Sequence, residues 1–163
     1  NAAFMEKDLG AELGESLSAP FRTLASAIPK PLRILAQMPV ETIEDMRIAG
    51  KKILDLSCKS VLLKGGHLKS DLLTSLFFGP DKTVHEFEFE KFETQNMHGS
   101  GCTLSSAIAS YLAQKNSLLN SVTKAQEYVH QAIYHAKDVK IGKGNGPLNH
   151  FFNPQKLVKY ELE

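Results

Sequence analysis

A chain of 163 residues, 42% of them hydrophobic, is long enough for one domain with a real core and too short for two. Its formal net charge of +1, without a long basic run, gives no electrostatic basis for binding nucleic acid or an anionic membrane. No apolar run reaches the length of a membrane span, and Asn1 to Lys7 lacks the charged-then-apolar order of a signal peptide, so a cytoplasmic protein is expected.

From the amino end, Leu9, Leu13 and Leu17 recur at helical spacing, although Gly10 and Gly14 weaken the pattern. After the break at Ala19-Pro20, Phe21, Leu24, Ala25 and Ile28 form a second apolar face. Pro29 and Pro31 then exclude helix interior and central strand, which makes 28–31 a loop or the ragged end of a strand. A short apolar segment, Leu32 to Gln37, closes at Met38-Pro39. Thr42 and Asp45 frame a capping box ahead of a helix whose buried side is Met46, Ala49, Ile53, Leu54 and Leu56.

Ser60 to Lys64 is a continuous apolar run bounded by Gly65-Gly66. The absence of polar alternation predicts a strand covered on both faces, as in parallel α/β sheets. Lys64 then stands at the carboxyl edge, where open α/β sheets bind ligands; a surface lysine marking the strand end is the plainer alternative. His67 and Asp71 follow as polar loop residues. Ser75 to Phe78 and Thr83 to Phe89, joined by Gly79-Pro80-Asp81-Lys82, predict a β-hairpin. Phe87 and Phe89 alternate with Glu86, Glu88 and Glu90, the pattern of a half-buried strand rather than of catalytic carboxylates. Phe92 falls out of phase, which predicts a bulge near Glu90-Lys91.

Asn96 to Gln114 passes from a glycine loop into an amphipathic helix with Leu104, Ala107, Ile108, Tyr111 and Leu112 on its apolar stripe. Gly99 and Gly101 are placed just before the helix. A turn of that kind converges backbone N–H groups on an anion, and the positive end of the helix dipole points the same way. Cys102, in the first helical positions, lies in that field, which favours its thiolate; an inert buried thiol is the competing reading. Neither Cys102 nor Cys58 belongs to a Cys-x-x-Cys or has a histidine at ligand spacing, so two free thiols are expected rather than a metal site.

Ser117 caps a second long helix with Val122, Ala125, Val129, Ala132, Ile133 and Ala136 on its stripe, and leaves His130 and His135 as surface residues. The glycine-rich segment from Ile141 to Phe151 is either a connector or a loop on the rim of a nucleotide site. Gln155 to Tyr160 is read as a short final helix or strand.

Three motifs in order, Leu63-Lys64-Gly65-Gly66-His67, Asn96-Met97-His98-Gly99-Ser100-Gly101-Cys102-Thr103-Leu104-Ser105 and Gly144-Asn145-Gly146-Pro147-Leu148-Asn149-His150, resemble the hydroxymethylpyrimidine/phosphomethylpyrimidine kinases of thiamine biosynthesis. The resemblance is dense from about residue 37 to residue 151, within a single domain spanning 1–163. It implies a ribokinase-like three-layer α/β/α sandwich with a mostly parallel central sheet, of which this chain carries mainly the carboxyl half. It also implies ATP-dependent phosphorylation, with Mg2+, of a small-molecule substrate: a hydroxymethylpyrimidine and then its monophosphate. By resemblance, Gly99, Ser100, Gly101 and Cys102 form the anion hole under the transferring phosphoryl group and Cys102 is the catalytic base. Lys64 is a phosphate contact, the 144–150 loop lies near the adenine, and the protein is a homodimer.

The family usually carries a Thr-Pro-Asn-x-x-Glu segment that helps bind Mg-phosphate, and here Ala27 to Arg33 lacks both polar ligands, so the metal-binding residues stay unassigned. The pyrimidine pocket of the family is not matched in Asn1 to Ile28, and residues 1–163 alone are expected not to turn over pyrimidine. A pyridoxine or pyridoxal kinase is the alternative within the same superfamily; a noncatalytic phosphate-binding fragment is the alternative outside it.

Overall fold

The computed structural model describes residues 24–27, 35–56, 58–66, 68 and 70–157. Four strands make one sheet in the order β1 (Leu24–Ala27), β2 (Ser60–Lys64), β3 (Leu72–Phe78) and β4 (Val84–Glu90). Among the described residues three helices accompany them: α1 (Ile43–Leu54), α2 (Ser100–Ala113) and α3 (Leu118–Tyr134). The expected elements at residues 1–23, the 28–31 loop, His67 and the end of the 155–160 segment lie outside the described residues, and 154–157 has no regular structure.

β1 and β2 are parallel, Leu24 pairing with Ser60 and Ala27 with Leu63. The 24–28 apolar spacing had suited a helix face; pairing with the buried β2 makes Leu24–Ala27 a strand instead. β3 runs antiparallel to β2 and β4 antiparallel to β3. In the described part, therefore, the parallel pairing is that of β1 with β2, and the connections after β2 are too short to cross over the sheet.

Alternation along β2 sends its side chains to two separate cores. Val61 and Leu63 join Leu76 and Phe78 of β3 and Met46, Ala49 and Ile53 of α1. Leu62 and Phe77 join Leu104 and Ile108 of α2 and Val122, Ala125, Val129, Ala132 and Ile133 of α3 on the opposite face. Helices thus cover both faces, as the uninterrupted apolar run predicts. Each fully buried leucine contributes roughly 1.5–3 kcal/mol. Gly50 of α1 lies where a Cβ would come within 2.2 Å of the Phe78 ring, so the helix sits directly on β3.

The α1 capping box forms as expected: Thr42 Oγ1 accepts from Asp45 N at 3.1 Å, and the Asp45 carboxylate accepts from Thr42 N at 2.9 Å and Glu41 N at 3.0 Å. Leu56 does not join the buried side, because the helix ends at Leu54 and Leu56 is exposed. The backbone N–H of Glu41, then the Thr42 hydroxyl and N–H, hold the Asp45 carboxyl below its usual range. A depressed folded pKa gives stability above the unfolded pKa that is lost as pH falls through the folded one. Asp45→Asn is therefore expected to lower Tm at about pH 7, with the gap to the parent closing at about pH 2.5. Thermal melts at both pH values check this; an equal gap at the two would contradict it.

The hairpin is present, with β3 beginning earlier than expected, at Leu72. Gly79 N donates to Thr83 O and Lys82 N to Gly79 O across its turn. The expected bulge is absent: the ladder is regular from Phe78–Val84 to Leu72–Glu90, and Phe92 is out of phase because β4 has already ended. The glutamates of β4 are exposed, Glu86 pairing with Arg47 of α1. Phe87 packs on the α2–α3 side.

Candidate functional site: an open helix start at one edge of the sheet

Helix α2 begins at Ser100, so Gly101 lies inside its first turn rather than before it. Gly99 is the N-cap residue, with φ 84° and ψ 1°. A side chain there would be strained in this left-handed conformation even though the space around it is open. Glycine at the cap also brings no side chain to occupy the helix end, and the first turn holds no acidic residue. Ser100 N donates to Met97 O at 3.2 Å and Thr103 N to Gly99 O at 2.8 Å. The amides of Gly101 and Cys102 are left without an acceptor in their own helix. A helix start with free amides and no capping side chain is chemically suited to an anion. Cys102 is an exposed free thiol beside those amides, not a buried one, and Cys58 is free as well.

The stretch before the helix is tied to the segment after α3. The buried Asn96 donates through Nδ2 to Ala136 O and to Val139 O, both at 2.6 Å. Thr94 Oγ1 donates to Lys137 O at 3.0 Å. His98 N donates to Gly146 O at 3.1 Å, and His98 forms an isolated parallel bridge with Pro147. The second and third sequence motifs are therefore neighbours in space. Next to this junction opens a cleft of about 450 Å³ walled by Glu93 to Asn96 on one side and by 139–144 with Lys137 on the other, so that Asn96 and Gly144 are the motif residues that line it. Lys140 and Lys143 add positive charge to its second wall. Beyond the cleft the chain returns along α3, where Asn149 N donates to Ala132 O and His150 meets Tyr128.

Lys64 reaches the same edge of the sheet by register. It pairs with Ser75, and Ser75 pairs with Phe87 of β4, which runs on to Glu90 in the direction of β2. There Glu90 O meets His130 Nε2 of α3 at 3.1 Å, and the chain continues to Thr94 and Asn96. Lys64 is half-buried, and burial pushes its ammonium below the usual lysine range. By alternation its side chain is on the face of Leu62, the α2–α3 side. Gly65 beside it is required by close approach, since a Cβ would lie 2.0 Å from Thr74 O.

Sequence reasoning found the glycines, the thiol and the lysine but assigned no role to Asn96 or Thr94. Their signal was available only as polar residues in front of a helix; the carbonyls they bind are 40 and 43 residues away in the chain. His130, treated as a surface residue, is held between the Phe89 and Phe92 rings at 4.8 and 4.7 Å. Among the described residues no group of three or more His, Cys, Asp or Glu side chains is placed to hold a metal ion, and no helix is long and apolar enough to cross a membrane.

The chain is 41% identical over 120 residues to the "Thiamine biosynthetic bifunctional enzyme TH1, chloroplastic" of Arabidopsis thaliana, a match covering 72% of this chain and 23% of that protein. It is 43% identical over 107 residues to the hydroxymethylpyrimidine/phosphomethylpyrimidine kinase of Rhizobium meliloti, covering 66% of this chain and 40% of the relative. The chain thus spans less than half the length of either. The pyridoxal kinase of Staphylococcus aureus, solved with AMP-PCP, superposes with a TM-score of 0.73 at 29% identity over 82% of this chain and 49% of that one. The fold is accordingly ribokinase-like. The family model described as phosphomethylpyrimidine kinase matches residues 2–149, which include the sheet, the open helix start and the loop latched to it, and the chain belongs to that family.

Proposed function

We propose that this chain carries the phosphoryl-transfer part of an ATP-dependent kinase that phosphorylates hydroxymethylpyrimidine and its monophosphate in thiamine biosynthesis. The observation that carries the reading is the uncapped start of α2, with two free amides and an exposed thiol, reached three residues on from Asn96, which itself lines a cleft of about 450 Å³. Phosphoryl transfer asks the protein for little covalent chemistry: donors aimed at developing negative charge, and a group that takes the hydroxyl proton. In this reading the Gly101 and Cys102 amides, with Gly99 and Ser100 shaping the turn, face the transferring phosphoryl group. The Cys102 thiolate accepts the proton as the substrate oxygen bonds to phosphorus and the bond to ADP breaks. Lys64 neutralises phosphate charge.

Magnesium suits this set only as an ion carried on the nucleotide phosphates, since the described residues offer it no cluster of ligands. Its chemistry when bound is to neutralise phosphate charge, and no protein ligand is assigned to it here. Pyridoxal phosphorylation is the second reading, favoured by the solved S. aureus neighbour; the names of the more identical relatives favour the pyrimidine. Two free thiols suit a reducing compartment, and we place the protein in the cytoplasm.

The test is twofold. Residues 1–163 titrated with AMP-PCP should bind it, and the intact protein should transfer phosphate from ATP to hydroxymethylpyrimidine with a higher kcat/KM than to pyridoxal. Preference for pyridoxal would establish the second reading. Binding without transfer to either would leave a noncatalytic phosphate-binding module.

A further inference from the structure

We propose that Asn96 is a positioning residue, whose carboxamide clasps the phosphate-facing start of α2 to the glycine loop 141–146 so that both walls of the nucleotide cleft move as one. The proposal rests on the kinase reading above, since it concerns the same cleft. Asn96 stands three residues before the Gly99 cap and is 7% exposed. Its Nδ2 uses both hydrogens on main-chain carbonyls just past α3, those of Val139 and of Ala136, the latter also accepting from Val139 N. Its Oδ1 faces Gly146 so closely that a Cβ there would lie 1.8 Å away. Gly146 O in turn accepts from His98 N.

One side chain therefore touches both ends of the 136–146 loop while its own backbone leads into the anion site. The cleft of about 450 Å³ is lined by Asn96 itself and by the loop it holds. The Thr94–Lys137 and His98–Gly146 hydrogen bonds tie the same segments at one point each, whereas Asn96 reaches Ala136, Val139 and Gly146 at once, and Ile141 to Gly144 between them are all exposed. A buried amide that loses two accepting carbonyls, or a loop pushed off by a new methyl group, separates the walls. Gly146 is glycine because of this contact, not because of a left-handed backbone.

The experiment compares Asn96→Ala, Gly146→Ala and the double variant in the full chain, by ADP titration at a temperature where each is folded and by amide hydrogen exchange. Each single variant should weaken ADP binding roughly tenfold, the equivalent of one or two lost hydrogen bonds. The double variant should bind no more weakly than Asn96→Ala alone, because truncating Asn96 makes room for the methyl group. Exchange should accelerate in 97–103 and in 139–146 together, while the middle of α3 stays protected. ADP affinities equal to the parent's, penalties that multiply in the double variant, or faster exchange confined to 139–146 would each overturn the clasp. If one single variant fails to fold, the other still probes the contact from the opposite side. A parent that binds no ADP overturns the kinase reading instead, and the exchange pattern then decides the clasp without nucleotide.

Discussion

Replacing Cys102 with serine is expected to lower kcat of the intact protein by about 10²–10⁴-fold while leaving its affinity for AMP-PCP within about twofold. The asymmetry follows from the two tasks that the proposed function gives to one helix start. On that proposal the anion would be held by backbone, the amides of Gly101 and Cys102 and the aligned dipole of α2, none of which depends on the side chain at 102. The proton would be taken by the side chain, and a serine hydroxyl has no anionic form available near neutral pH with which to accept it. The exchange is close to isosteric and Cys102 is exposed, so the fold should not register it. A single-turnover assay together with a nucleotide titration separates the two effects. An unchanged rate would remove Cys102 from the chemistry, and a parallel loss of binding would show that serine has disturbed the turn.

Lys64→Met should weaken AMP-PCP binding by roughly ten- to a hundredfold, the scale of a charge-assisted contact to phosphate, and should raise the Tm of the nucleotide-free protein. Among the described residues the Lys64 side chain has no ion-pair or hydrogen-bond partner, although the residue is half-buried at the end of β2. Burial lowers its pKa, which means that the folded state disfavours the charge it must carry at neutral pH. The stability cost of that charge is present below the folded pKa and disappears as pH rises through it, so the Tm advantage of the methionine variant should shrink in alkaline solution. A bound phosphate supplies the missing countercharge, and the parent should therefore gain more Tm from saturating nucleotide than the variant does. Melts with and without AMP-PCP across pH measure both effects. Equal affinity in the two proteins would place Lys64 outside the site.

Local chemistry made several elements legible. The Thr42–Asp45 capping box, the Ser117 cap and the α3 stripe all arise from contacts within a few residues, and the structure reproduces them. The Ser60–Lys64 run declared a strand buried on both faces because nothing polar interrupts it, and two cores occupy those faces. Local reasoning failed where an element depends on a distant partner. Leu24–Ala27 is a strand because β2 offers it an edge, although its apolar spacing suits a helix equally well. Phe92 was out of phase for a simple reason: the ladder stops at Glu90, where the backbone turns toward α3.

The same division holds at the candidate site. By itself the sequence determined that glycines and a thiol stand at a helix start and that a lysine ends a buried strand, since glycine content, capping and apolar runs act over one or two turns of chain. It also carried the family resemblance, in three motifs whose order needs no folding to be read. Only the tertiary structure decided that these motifs share an edge, that Asn96 bridges two of them, and that a cleft opens between the walls it joins. The physical reason is that hydrogen bonds between residues some 40 positions apart, such as Asn96 to Ala136, leave no periodic trace along the chain. They exist because the hairpin and the antiparallel α2–α3 pair return the backbone to the same place.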